Sequence, residues 1–159
     1  NYLSIIRAKT AYLFSACAGL GAMIDDAPDD KIHRFFEFGL NFGMAFQITD
    51  DALDYEAQGD QWGKRVGADL AEGKQTLPLL HTLQEATPED REALLHTLNN
   101  GRSFETVHSY VERYDGITYS LKKAAEYARA AEDMLETFEE NEALNEIKTI
   151  TKRVLNRRY

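Results

Sequence analysis

Apolar residues recur at three- and four-residue intervals along almost the whole chain, and no stretch shows strand-like alternation. That pattern constrains the sequence above all to an all-α fold. From Tyr2 to about Ile24 the spacing sets Ile5, Ile6, Leu13, Phe14, Cys17 and Leu20 on a helix, which Asp25-Asp26-Ala27-Pro28 stops. A second, longer helix is predicted from about Asp29 to Ala57, carrying Ile32, Phe35, Phe36, Phe42, Phe46 and Leu53. Its Gly39 and Gly43 cost about 1 kcal/mol each relative to alanine, tolerable where they admit a neighbouring backbone. Gln58 to Gln75 carries four glycines with mixed charge and reads as a structured loop, the kind of segment where function tends to reside. Thr76 can cap the next helix with Pro78 in its first turn, and Thr87-Pro88-Glu89-Asp90 gives that start signal again. Asn99-Asn100-Gly101 ends one helix, Ser103 can begin another, and Asp115-Gly116 makes a turn. Charged amphipathic helices over about Ile117–Phe138 and Glu142–Asn156 close the bundle.

With 159 residues, 43% hydrophobic, the chain suits one globular domain with a sizeable core. Its net charge of -9 argues against a broad footprint on nucleic acid. Charge is uneven, since Lys148 to Tyr159 holds five basic residues and no acid. A single cysteine, Cys17, cannot pair within the chain and reads as a small hydrophobe, which points to the cytosol. No stretch approaches the roughly 20 apolar residues that span a bilayer, so no transmembrane segment is expected. The chain opens on Asn1 rather than Met, which suggests a fragment.

Chemistry concentrates on the second helix, in Phe46-Gln47-Ile48-Thr49-Asp50-Asp51-Ala52-Leu53-Asp54-Tyr55. Asp50 and Asp54 lie one turn apart on one face, with Asp51 alongside and Gln47 one turn earlier. Like charges at this spacing repel, whereas a hard divalent cation would turn the repulsion into binding. Mg²⁺ suits such a group, because it binds a few carboxylates, keeps waters and takes further oxygens from phosphates. A solvated acidic face is the plain alternative, and the apolar neighbours Phe46 and Leu53 weigh against it. The glycine-rich segment adds Lys64, Asp69 and Lys74, each next to or near a glycine. A metal held by aspartates, with lysines on glycine-supported backbone, is what a diphosphate requires. Lys9 sits between Ile5 and Leu13 on the first helix, where it is either functional or a snorkelling side chain.

Taken together, Lys9-Thr10-Ala11, then Phe46-Gln47-Ile48-Thr49-Asp50-Asp51-Ala52-Leu53-Asp54-Tyr55, then Gly63-Lys64 through Gly67-Ala68-Asp69 to Gly73-Lys74-Gln75-Thr76-Leu77-Pro78, resemble the trans-polyprenyl diphosphate synthases in order and spacing. The resemblance implies an isoprenoid-synthase helical bundle in which isopentenyl diphosphate condenses head-to-tail onto an allylic prenyl diphosphate, with loss of pyrophosphate. It implies Asp50, Asp51 and Asp54 as the second aspartate-rich motif holding Mg²⁺, and Lys9, Lys64 and Lys74 as diphosphate ligands. Thr10 and Gln47 match positions facing the reacting carbons. Arg157-Arg158-Tyr159 is similar to tails that close over the isopentenyl diphosphate site in some members, but stays outside the catalytic set. The wording Leu70 to Leu79 is more like long-chain, octaprenyl-type synthases than farnesyl synthases.

The family's first aspartate-rich motif, its Gly-Lys-x-x-Arg-Pro segment and an arginine pair are absent from the sequence. Asp25-Asp26 and Asp29-Asp30 flank Pro28 and read as a turn, not as a substitute. The expectation is therefore a C-terminal half that supplies one wall of the site and is inactive without its N-terminal half, in a family that is typically homodimeric. Two other readings are a non-catalytic subunit or paralogue that binds a catalytic partner, and a class I terpene cyclase, which the Gly-Lys-x-Thr-x-Pro run disfavours.

Overall fold

A computed structural model describes residues 1–56, 67–101 and 103–155, and all regular structure among these residues is helical. The helices are α1 (Tyr2–Ile6), α2 (Tyr12–Ile24), α3 (Asp29–Glu56), α4 (Ala68–Ala71), α5 (Leu77–Glu85), α6 (Pro88–Asn99), α7 (Phe104–Arg113), α8 (Gly116–Leu135) and α9 (Glu142–Leu155). No helix among the described residues is long and apolar enough to cross a membrane. The predicted starts follow local chemistry. Thr87 Oγ1 accepts from the amide of Asp90, and Ser103 Oγ accepts from that of Thr106, so both side chains cap their helices. Thr76 stands at the N-cap of α5, with proline in the first turn, but makes no side-chain cap bond. Asp115 takes the left-handed conformation in the turn before α8.

The first predicted helix differs. A π-helical turn, Arg7–Ala11, separates α1 from α2. The face it presents also departs from the apolar spacing: Ala11, Ser15, Gly19 and Ala22 are buried, while Ile5, Leu13, Leu20 and Cys17 are exposed. Cys17, read from its apolar stretch as a small hydrophobe, is exposed. Small residues face inward because α3 comes very close. A Cβ on Gly39 would sit 2.4 Å from the carbonyl oxygen of Phe14, and one on Gly43 would sit 2.6 Å from Cα of Ala11. The close approach expected of these glycines is therefore present.

The chain forms two compact units, one of Asn1–Thr49 with the stretch beginning at Lys123, the other of Asp50–Lys122. The first has a core of Phe42, Ala45, Ala128, Ala131 and Val154, against which Phe14, Phe38, Phe46 and Tyr127 pack. Phe14 and Phe42 meet edge to face at 5.2 Å between centroids, a favourable aromatic geometry. The second unit buries Tyr55, Leu70, Leu79, Leu94, Val107 and Val111 together. The predicted loop contains the short α4, and its preceding part through residue 66, with Lys64, lies outside the described residues, as does the Arg157-Arg158-Tyr159 end.

Candidate functional site

In the second unit, the last two turns of α3 carry the three aspartates. Asp51 is buried at 4% exposure, whereas Asp50 and Asp54 are half-buried, so the motif is not a solvated strip. Beyond the described break, Gly67 adopts φ +71°, which favours glycine, and its amide donates to the carbonyl of Asp54 at 3.2 Å. The backbone then enters α4, where the amide of Asp69 donates to Asp54 Oδ2 at 3.1 Å. Asp54 thereby serves a helix start that is 15 residues away in sequence and would otherwise leave an amide unpaired. Lys74 Nζ closes the chain of contacts by donating to Asp69 Oδ1 at 2.8 Å, with Glu72 Oε2 at 2.7 Å.

Burial pushes the Asp54 carboxyl above its ordinary range; the Asp69 amide opposes this, and the charges of Asp69 and Asp50 add to the rise. Hydrogen bonds to Asp69 and Glu72 hold the Lys74 ammonium well above the usual lysine range. Tyr55, almost fully buried, has its phenol pushed up to about 12 by desolvation. The polarity of Thr76 offsets part of that rise, although neither hydroxyl has a partner of hydrogen-bond geometry. The phenol therefore stays neutral beside the aspartates.

In the first unit, the π-turn carries Lys9 and Thr10. Thr10 Oγ1 donates to Gln47 Oε1 at 2.7 Å, a contact 37 residues long that joins two residues singled out from the sequence. It orients the glutamine amide with its oxygen toward the threonine. A π-turn inserts one residue into helical winding and is frequent at functional sites. Lys9 is exposed.

The structure thus brings Asp54, Asp69 and Lys74 together in one unit, and Thr10 with Gln47 in the other. Among the described residues, no three His, Cys, Asp or Glu side chains converge as a ready cage for an ion. The donor set is all-oxygen, which fits a hard cation that takes few protein ligands. Sequence reasoning gave no role to His108, whose Nε2 donates to the carbonyl of Tyr55 at 3.0 Å. A lone histidine 53 positions away carries no spacing signal.

The polyprenyl synthetase family profile matches residues 1–114. The chain is 35% identical, over its whole length, to the short chain isoprenyl diphosphate synthase of Methanothermobacter thermautotrophicus, of which it covers 50%. It is also 35% identical to the octaprenyl diphosphate synthase of Escherichia coli, over 82% of this chain and 42% of that protein. Among solved structures, a polyprenyl synthase from Caulobacter crescentus, complexed with calcium and isoprenyl diphosphate, aligns with a TM-score of 0.91 at 33% identity, covering 99% of this chain and 49% of that one. The chain belongs to the polyprenyl synthetase family, and it spans about half the length of the relatives it matches.

Proposed function

We propose that this chain is the C-terminal portion of a Mg²⁺-dependent trans-prenyltransferase, and that it supplies one wall of the site while an N-terminal half supplies the other. The enzyme condenses isopentenyl diphosphate onto an allylic prenyl diphosphate. The allylic C–O bond breaks and pyrophosphate leaves with its electron pair. The double bond of isopentenyl diphosphate then attacks the allylic carbon, and loss of a proton completes the product. One observation carries the reading: the contacts from Asp54 through Asp69 to Lys74 link the aspartate turn to an ammonium group, on a backbone fixed by Gly67.

In this reading Asp50, Asp51 and Asp54 hold the cation, with Asp50 a direct ligand and the others acting partly through water. When bound, a divalent cation supplies positive charge to the diphosphate as it becomes a leaving group. Lys74, Lys9 and Lys64 bind the same diphosphate. Lys74 reaches it by exchanging carboxylate partners for phosphate oxygens, with no need to gain a proton. Thr10 and Gln47 aim oxygen dipoles at the allylic cation, and the bond between them fixes that aim. Apolar walls keep water from the cation. The product is a polyprenyl diphosphate, for which the Leu70 to Leu79 wording favours a long chain, and the setting is a cytoplasmic homodimer.

The test is Asp50→Ala in the synthase containing this chain. Mg²⁺-dependent incorporation of isopentenyl diphosphate should fall by about a hundredfold or more. Unchanged turnover would refute the assignment.

A further inference from the structure

Helix α7 carries none of the aspartate or lysine motif residues, yet it touches that segment at two points, just after Asp54 and just before Asp69. His108 Nε2 donates to the carbonyl of Tyr55 at 3.0 Å. Tyr55 lies in the last turn of α3, where carbonyls lack intrahelical donors, so the imidazole satisfies an acceptor the helix itself cannot. One turn earlier on α7, the ring of Phe104 stands 6.1 Å from that of Tyr55 and 5.3 Å from the imidazole of His108. Phe104 also closes over Gly67, where an added Cβ would fall 2.2 Å from its ring. Val107 and Val111, both fully buried, anchor α7 in the core of the second unit. Glu112 Oε2 stands 3.5 Å from Nδ1, where it attracts the ring only when the imidazole carries both protons.

These contacts fall beside two of the candidate site residues, Asp54 and Asp69. The carbonyl after Asp54 is held by His108, and the carbonyl of Asp54 itself is held by Gly67, which Phe104 covers. We propose that His108, backed by Phe104, is a positioning residue that fixes Asp54 and the Gly67–Asp69 turn, and through them the geometry in which metal and diphosphate are held. The proposal rests on the reading of the aspartates as metal ligands given above. A histidine present only to fill space would be replaceable by leucine, because its hydrogen bond would have no consequence beyond α7.

The experiment uses the synthase that contains this chain, in two variants. His108→Leu keeps most of the volume and removes the donor, whereas His108→Gln retains a side-chain N–H able to reach the Tyr55 carbonyl. Loss of a partner bonded directly to a metal ligand typically costs about 10- to 100-fold in metal affinity or activity, and His108 acts one residue further out, so about tenfold is expected. His108→Leu should raise the Mg²⁺ concentration for half-maximal turnover by that factor. It should also speed amide hydrogen exchange at Gly67 and Asp69 while leaving α6 unchanged. His108→Gln should recover most of both effects. Equal effects in the two variants, exchange accelerated uniformly through α5 to α7, or an unaltered Mg²⁺ response overturns the proposal. If the parent enzyme shows no Mg²⁺-dependent turnover, the functional reading fails, and the exchange comparison between the two variants still decides the positioning role.

Discussion

The contact of α2 with α3 in the first unit and the packing of α5 to α7 in the second are built in opposite ways. In the first, small residues bring α2 and α3 into backbone contact, and large apolar side chains on the same helix point outward, with Leu13 exposed at 68% and Ile24 at 85%. In the second, the large side chains are inside, Leu79, Leu94, Val107 and Val111 all at 0%, and short capped helices are oriented by polar bonds. Close backbone approach seats α2 on α3 by van der Waals contact, but leaves Leu13, Leu20 and Ile24 of α2 uncovered. The second spends its polar groups on orientation, which is what a site made of carboxylates and an ammonium requires. Hydrophobic burial is non-directional, whereas each hydrogen bond fixes an angle.

That contrast can be broken at several points. Leu79→Ala should destabilise the chain by about 2–5 kcal/mol in denaturant unfolding, since it empties a fully enclosed position. Thr87→Ala should cost about 1 kcal/mol by removing the cap on α6, and a negligible loss would mean that the second unit does not depend on its polar start signals. At Leu13, replacement by Gln should change stability by no more than about 0.5 kcal/mol, and a loss comparable to that of Leu79→Ala would erase the distinction between the units.

Asp54→Asn should have a small effect of opposite sign. Burial raises the folded carboxyl above its ordinary 3.8, so the folded chain holds this proton more tightly than the unfolded one. Ionised Asp54 therefore costs stability. The cost is absent below the unfolded value, grows as pH rises through the folded one, and is complete above it. The asparagine variant, still able to accept from the Asp69 amide, should melt slightly higher than the parent at neutral pH without divalent cation. The gain should vanish in acid below the ordinary value of 3.8. A lower melting point at neutral pH would show that the turn needs the charge for its structure.

What could be read in the sequence was what local rules determine. The long α3, the caps at Thr87 and Ser103 and the close approach at Gly39 and Gly43 all follow from residues within a turn or two of one another. The aspartate turn and the downstream Asp69 and Lys74 were visible because their spacing is short. Exposure on α2 was not legible, because periodicity shows that Leu13 and Leu20 are apolar and says nothing of what covers them. Nor was the support from His108, which acts across 53 positions through a single backbone carbonyl. The π-turn at Arg7–Ala11 also escaped notice, since one extra residue barely disturbs an apolar pattern of mixed three- and four-residue steps.

That extra residue has a consequence for how this helix tolerates change in length. Each residue of an α-helix turns the chain by about 100°, and a π-turn takes up one extra position by winding less per residue, so the helices on either side keep the phase they would have without it. Deleting one residue between Arg7 and Ala11 would let ordinary winding resume with both registrations kept, so that Ser15, Gly19 and Ala22 stay on the narrow face that α3 demands. A one-residue deletion here should therefore cost far less than one inside α2, which would rotate everything on one side of it by about 100°.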